Sequence, residues 1–476
     1  MKIHVYTKGV FLIAILVLQS CIPTQDVREP DKTLPVAYAL GNSDTLNVGN
    51  MRWSDYFEDP YLQQLIDTAL IRNQELNIVL QNIAVAQNEV RTRRGEYLPF
   101  IGIQGGSEVD KASKFTRNGA VEEHLTIGEE TPFPDPLKNY QLGLSASWEL
   151  DIWKKLRNAK KAAVYEYLAS VEGKNYVVTN LVAEVAKLYY ELMVLDNQLD
   201  FVAQNLEIQQ NALKMVRLQK QAARATELAV RRFEAEVLKN QSHLFEIRQE
   251  ITVTENQLNF LLGRNPQPIV RNSAAFIDGT YAPVASGLPA QILQNRPDVR
   301  KAELELEGAK LNVKVARASF FPTVGLKAGL GFESFKSEFL FTSPEALVYN
   351  AVGDLVAPII NRNGLKAAFN TATSRQIQAL YEYERAILNG FVEISNQLTN
   401  IENLNASYDR KVNQVKALNE SIELANQLFR SARAEYLEVL LTQREALEAR
   451  MELVETRKDQ MNSRIDLYRA LGGGWK

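Results

Sequence analysis

Residues 140–150 read YQLGLSASWEL, with Tyr140, Leu142, Leu144, Ala146, Trp148 and Leu150 at the even positions. The odd positions hold Gln141, Gly143, Ser145, Ser147 and Glu149. A period of two over eleven residues predicts a β-strand with one apolar and one polar face. A second such stretch follows far downstream, where Val324, Leu326, Ala328, Leu330 and Phe332 alternate with Thr323, Gly325, Lys327, Gly329 and Gly331. Less regular partners lie at residues 100–109 and 349–357, so the chain carries four strand-like segments in two pairs.

The surroundings of these strands read as helix. Proline is absent from 137 to 265 and from 359 to 476, and glycine is nearly absent from both tracts. Both are dense in Ala, Leu, Glu, Gln, Lys and Arg, which favour helix. Leu181, Val185, Leu188, Leu192 and Leu195 recur at three- and four-residue spacing, as in a coiled-coil seam. A helix over 152–221 would run roughly 100 Å at about 1.5 Å per residue.

The two halves repeat one another. LIRNQELNIVLQNIAVAQNEVRTRRGEYLPFIGIQGG (70–106) aligns with LQNRPDVRKAELELEGAKLNVKVARASFFPTVGLKAG (293–329) at an offset of 223 residues. Beyond the strands the offset becomes 209, matching Ala223-Arg224-Ala225 to Ala432-Arg433-Ala434 and Leu262-Gly263 to Leu471-Gly472. The first copy therefore holds fourteen extra residues, in a polar loop between about 107 and 139.

Strands of nine to eleven residues suit a tilted wall of a lipid-embedded barrel. A half-buried strand of a soluble sheet is the commoner alternative. The small, polar opposite face and the lack of a partner layer favour the membrane, as does the N-terminus. There Lys2 and Lys8 precede the apolar run 10–18, which predicts a signal peptide over 1–20 and is too short for a membrane span. Four strands cannot close a barrel, and lipid tolerates no open edge. Copies must combine: two would supply eight strands and three would supply twelve. Long helices leading away from such a barrel make a conduit.

Cys21 is the sole cysteine of 476 residues, so an exported chain of this kind has no internal disulfide. Removing residues 1–20 takes away two lysines and moves the net charge from −3 to −5. A near-neutral chain without basic runs gives no footprint for nucleic acid.

Leu18-Gln19-Ser20-Cys21 resembles the lipobox of bacterial lipoproteins. With the duplication, the proline-bounded hairpins, LLGRNP (261–266) and LQNRPDVRKAE (293–303), the chain resembles a TolC-type outer-membrane efflux protein of the lipoprotein branch. The resemblance implies a mainly α fold with a transmembrane β-barrel: a homotrimer with a twelve-stranded barrel and a long coiled-coil α-barrel. It implies residues 21–59 as a lipidated tether and equatorial segment, and efflux repeats over 60–278 and 279–476. It further implies a cell outer-membrane location extending into the periplasm, a lipid on Cys21, a periplasmic adaptor and an inner-membrane resistance-nodulation-division pump. The function implied is a passive exit channel for drugs or other small toxic compounds. The alternatives are a duct for one-step protein secretion and, from another class, a periplasmic coiled-coil scaffold or adaptor, which leaves the duplicated strands unexplained.

Site residues follow from the same resemblance. The periplasmic tips map to KQAARATELAV (220–230) and FRSARAEYLEVL (429–440). The family's usual tip glycine is replaced by Ala222-Ala223 and Ser431-Ala432, so either the turn differs or the helix runs further. Arg224 and Arg433, with Ala223 and Ala432, are the expected adaptor-docking tips; a solvated cationic turn is the alternative. The family's acidic gate residues map to Glu438 and Leu441, the second of which has lost its carboxylate. Leu424, Gln427, Leu428 and Phe429 offer closure by bulk instead. Tyr140, Trp148 and Trp153 are expected at a membrane interface, Trp153 equally at the strand-to-helix junction. In LQNRPDVRKAE, Asp298 just after Pro297 suits a helix N-terminus, so the motif reads as structural.

Catalysis finds no support. The histidines are His4, His124 and His243, and there is no HExxH, CxxC or phosphate-cradling loop. One cysteine and six methionines argue against a soft-metal relay. No cofactor or metal is expected.

Overall fold

The computed structural model describes residues 23–39, 46–127, 131–277, 284–360, 362–431 and 433–476. The signal peptide and Cys21 lie outside the described residues. The main helices are α1 (Pro60–Arg72), α2 (Gln74–Glu96), α3 (Lys155–Gln221), α4 (Glu227–Leu261), α5 (Pro297–Ala318), α6 (Asn363–Arg430) and α7 (Tyr436–Ala470). The main strands are β1 (Phe100–Asp110), β2 (Leu137–Leu150), β3 (Thr323–Ser334) and β4 (Leu347–Val356). At 67 and 68 residues, α3 and α6 are each about 100 Å long. The loop between β1 and β2 carries a short helix, Arg117–Glu122, and a two-residue ribbon pairing Thr126–Ile127 with Thr131–Pro132.

The chain divides into two compact units, each drawing on both halves of the sequence. The first holds Val85–Tyr167 and Leu304–Leu380, and with them all four main strands. They form one antiparallel sheet in the order β1-β2-β3-β4, so the two sequence halves join through β2 and β3.

The second unit, Pro30–Ala84, Leu168–Glu303 and Tyr381–Lys476, holds the helical core. Leu62, Ile66, Val185, Tyr189, Leu192, Leu258 and Val454 are fully or nearly fully buried there in one cluster. The duplication is visible atom by atom. Gly263 (φ +59°) and Gly472 (φ +83°), 209 residues apart, end α4 and α7 in left-handed turns. A Cβ on either would collide with the carbonyl oxygen of Arg72 or Asn295, which are themselves 223 residues apart. Only glycine meets both demands.

Candidate functional site

In the sheet, register decides which side chains share a face. Leu142 stands opposite Phe332, Leu144 opposite Leu330 and Trp148 opposite Leu326. Ile103 then falls beside Leu144, and Tyr349 beside Leu330. One face of all four strands is thus apolar, and it is bare: Ile103 is 79%, Leu330 55%, Tyr349 81% and Leu355 70% exposed. A contiguous apolar surface of this kind marks contact with a membrane or another protein. The opposite face carries Gln104, Glu108, Gln141, Ser145, Ser147, Lys327 and Asn350 between glycines. Gly143 faces Gly331, and a Cβ on Gly331 would come within 2.7 Å of the Gly143 Cα, so that cross-strand pair has no room for side chains. β1 and β4 are edges of the sheet.

β4 hides its alternation because Val348, Val352 and Val356 occupy the polar-side positions. Ile101, Ile103, Tyr349 and Leu355 were therefore missed as lipid-side candidates; pairing with the regular β2 and β3 identifies them.

The start of α3 is built around Asp151. Its buried carboxylate accepts from the backbone N–H groups of Leu156 and Arg157, both at 2.9 Å, and from Arg157 Nε at 3.1 Å. Burial alone would raise its pKa; those hydrogen bonds and the guanidinium outweigh burial and hold it below the ordinary aspartate value. Trp153 Nε1 donates to the Pro322 carbonyl at 2.8 Å and its ring stacks on Phe321 at 4.5 Å, which places it in the strand-to-helix junction. Trp148, on the apolar face, donates to the Tyr97 carbonyl at 3.2 Å, and Tyr140 is half-buried.

At the first tip, α3 ends at Gln221 and does not run on. Ala223 adopts φ +58°. Its N–H donates to Lys220 O at 3.0 Å and that of Arg224 to Gln219 O at 2.7 Å, the closure that glycine usually makes. At the second tip the Arg433 N–H donates to Leu428 O at 2.9 Å, the equivalent bond. Ala432 lies outside the described residues. Ala223, Arg224 and Arg433 are exposed.

The tips differ in chemistry. Around the first, Arg217 pairs with Glu234 at 2.6 Å, Arg231 with Glu227 and Glu234 at 2.9 Å, and Lys220 with Glu227. The corresponding residues of the second hairpin are uncharged: Asn426, Phe429, Tyr436, Leu440 and Gln443. Phe429, Tyr436 and Leu440 instead pack against the first hairpin's cluster of Ala229, Val230, Phe233 and Val237. Leu424, Gln427, Leu428 and Glu438 are exposed, and Leu441 is half-buried. The gate candidates therefore divide: Phe429 faces inward within its own chain, and the rest present surface.

Arg296 is 4% exposed and binds Asp298 (2.7 and 3.0 Å), Glu393 (2.8 Å) and the Ala470 carbonyl (2.9 Å). Burial would lower its pKa, but the two carboxylates keep it raised. Gly390, in the middle of α6, makes room: its Cβ would stand 3.0 Å from Arg296 Cδ and Nε. In the first copy Asn73 Nδ2 donates to the Leu261 carbonyl at 3.0 Å, the same helix end closed by a smaller side chain. Arg296 is structural, and an isolated glycine in a glycine-poor tract was the legible signal for its partner.

A family model described as outer membrane efflux protein matches residues 65–264 and 288–473. The pyoverdine export outer membrane protein OpmQ of Pseudomonas putida is 30% identical over 429 residues, covering 90% of this chain and 89% of that one. The cation efflux system protein CusC of Escherichia coli O6:H1 is 27% identical over 468 residues, covering 97% of each. Among solved structures, the open state of the Neisseria gonorrhoeae MtrE outer membrane channel superposes with a TM-score of 0.84 at 26% identity, covering 96% of this chain and 99% of that one.

Proposed function

This chain belongs to the outer membrane efflux protein family, and from that premise we propose that it is the outer-membrane exit channel of a tripartite efflux system. It is a passive conduit, not an enzyme. The observation that carries the reading is the bare apolar face aligned across all four strands of a sheet with two edges. Lipid covers that face, and the edges pair with those of two further copies, since an unpaired edge is untenable in lipid. The homotrimer has a twelve-stranded barrel with a polar, glycine-rich lumen. Helices of about 100 Å, α3 and α6, form the periplasmic part of the duct.

The chain is organised as a signal peptide (1–20), a tether and equatorial segment (21–59) and two copies of one repeat (60–278 and 279–476). Cys21 carries the lipid anchor; conduction needs no cofactor. The tips at Ala223-Arg224 and Ala432-Arg433 dock a periplasmic adaptor, which couples the duct to an inner-membrane resistance-nodulation-division pump. The cargo is drugs or other small toxic compounds. Relatives of similar identity are named for pyoverdine, cations and toluene, so selection lies upstream of a shared duct. The gate lies at the second tip, with Glu438 as its charged residue, Leu441 beside it, Leu424, Gln427 and Leu428 as closing bulk, and Phe429 bracing them from within its own chain. Three Glu438 carboxylates in a ring would attract cations and repel one another.

Single-channel conductance of the purified lipoprotein in planar bilayers, compared with Glu438→Ala, tests this reading. Small cation-selective currents that grow or lose selectivity in the variant support it. Currents indifferent to the variant place the gate elsewhere. A protein that is monomeric and non-conducting overturns the conduit.

A further inference from the structure

The four strands of the first unit meet their helices at one end of the sheet: α2 leads into β1, β2 into α3, α5 into β3 and β4 into α6. Both hairpin connections therefore lie at the other end, the outer rim of the barrel proposed above. The β1–β2 connection is polar, whereas the β3–β4 connection, FKSEFLFTSPEA (335–346), is rich in large apolar side chains. It folds back on the apolar side of the sheet. Phe341 meets Phe332, which stands opposite Leu142 on that face, edge-on at 5.7 Å. Phe341 and Phe339 are nonetheless 65% and 46% exposed, and Lys336 Nζ lies 5.5 Å from the Phe339 ring centre.

A second cation marks the same level. Lys138 is at an even position of β2, so it shares the apolar face with Tyr140 and Leu142 and stands beside Val109. It is exposed and lacks an ion-pair partner among the described residues. A cation on this face is destabilising at the bilayer midplane and tolerated at headgroup height. The rim carboxylates Glu108, Asp110 and Glu333 occupy the opposite, lumen-side positions. Lys138 lies two residues beyond Tyr140, and Lys336 two beyond Ser334, the cross-strand pair at which the β2–β3 ladder ends. Both cations are thus within about 7 Å of that pair along the strands. Glu338 stands 3.6 Å from Lys336, with both side chains well exposed. β2 and β3 are the inner strands, so pairing of β1 and β4 with further copies does not use them.

We infer that Lys138 and Lys336, with Phe339 and Phe341, form a site on the outer rim for a phosphate-bearing lipid of the outer leaflet. The two ammonium groups pair with headgroup phosphate, and the phenyl rings lie against the upper part of the acyl chains. This rests on the outer-membrane barrel above and deepens it, because it names the lipid chemistry that covers one part of the apolar face. Two observations select a lipid as the occupant. The site is continuous with the apolar face of all four strands, which lipid already covers in that reading. It also adds two cations to that face while the carboxylates of the rim lie on the other, which is complementary to an anionic headgroup.

Native mass spectrometry of the full-length lipoprotein, released from detergent with added lipid A, tests the site. Dephosphorylated lipid A and inorganic phosphate are the comparison probes. The wild-type trimer is expected to retain lipid A at one site per chain and to retain both comparison probes poorly. Lys138→Gln/Lys336→Gln should weaken retention about thirty-fold, about five-fold for each lysine near a charged lipid surface, while still running as a heat-modifiable trimer. Glu338→Gln removes a competing carboxylate and leaves both cations, so it should strengthen retention. Equal retention of lipid A by wild type and the double variant, or of lipid A and its dephosphorylated form by wild type, overturns the site and leaves the channel reading standing. Inorganic phosphate held as tightly as lipid A also overturns it. If the double variant yields no trimer, Glu338→Gln decides alone, and unchanged or weaker retention there overturns the site. A wild type without a heat-modifiable trimer overturns barrel and site together.

Discussion

At the scale of single residues, this protein holds its helix ends with buried polar groups placed where a backbone needs them. Asp151 satisfies two amides at the start of α3, and its pKa in the fold lies below the ordinary aspartate value. The unfolded chain therefore takes up its proton first as pH falls. The stabilisation from Asp151 is complete above about pH 5 and drains away as pH falls through about 4 toward the folded-state value. Asp151→Asn should lower the melting temperature at pH 7, and the gap to wild type should narrow by pH 3.5, as read by circular dichroism. A gap independent of pH would remove the charge from this account. Arg296 and Asn73 do similar work at the ends of α7 and α4. The sequence marks Arg296 only through its motif, because Glu393 and the Ala470 carbonyl lie far along the chain.

At the scale of elements, strands and helices respond to different constraints. Leu144 lies mid-strand on the apolar face, whereas its neighbour Ser145 lies on the other face between Gly102 and Gly329. Leu144→Arg should cost about 2–4 kcal/mol of insertion free energy near the bilayer midplane, whereas Ser145→Arg should leave insertion unchanged. The yield of heat-modifiable trimer in outer-membrane fractions distinguishes the two, and equal yields would contradict the assignment of faces. In the tip, Ala223 holds a left-handed conformation that costs an L-residue about 1–2 kcal/mol. Ala223→Gly recovers part of this, less the greater freedom of glycine in the unfolded chain, for a net gain of roughly 0.5–1 kcal/mol. Slower hydrogen exchange at the Ala223 and Arg224 amides is the expected readout, and faster exchange would refute the strain.

At the scale of the whole molecule, a four-stranded sheet has too few strands to close, and a ring of copies supplies the rest. Lipid on Cys21 would tie that ring to the membrane, so intact-mass measurement of the purified protein should show diacyl and N-acyl additions that Cys21→Ser lacks. Identical masses after signal cleavage would exclude the anchor. Strand alternation, helix composition and duplication were readable in the sequence because they are local or periodic, repeating every two residues, every turn or every 223 and 209 residues. Element ends followed for the same reason, since proline, glycine and capping residues act on their immediate neighbours. What only the tertiary structure decided depends on residues distant in sequence. The faces of β1 and β4 required their register against β2 and β3, and the service of Gly390 to Arg296 required the fold. So did the division between Phe429, turned into its own chain, and Leu424 and Leu428, left on the surface. A side chain's period shows that it has a face; only the packed chain shows what that face meets.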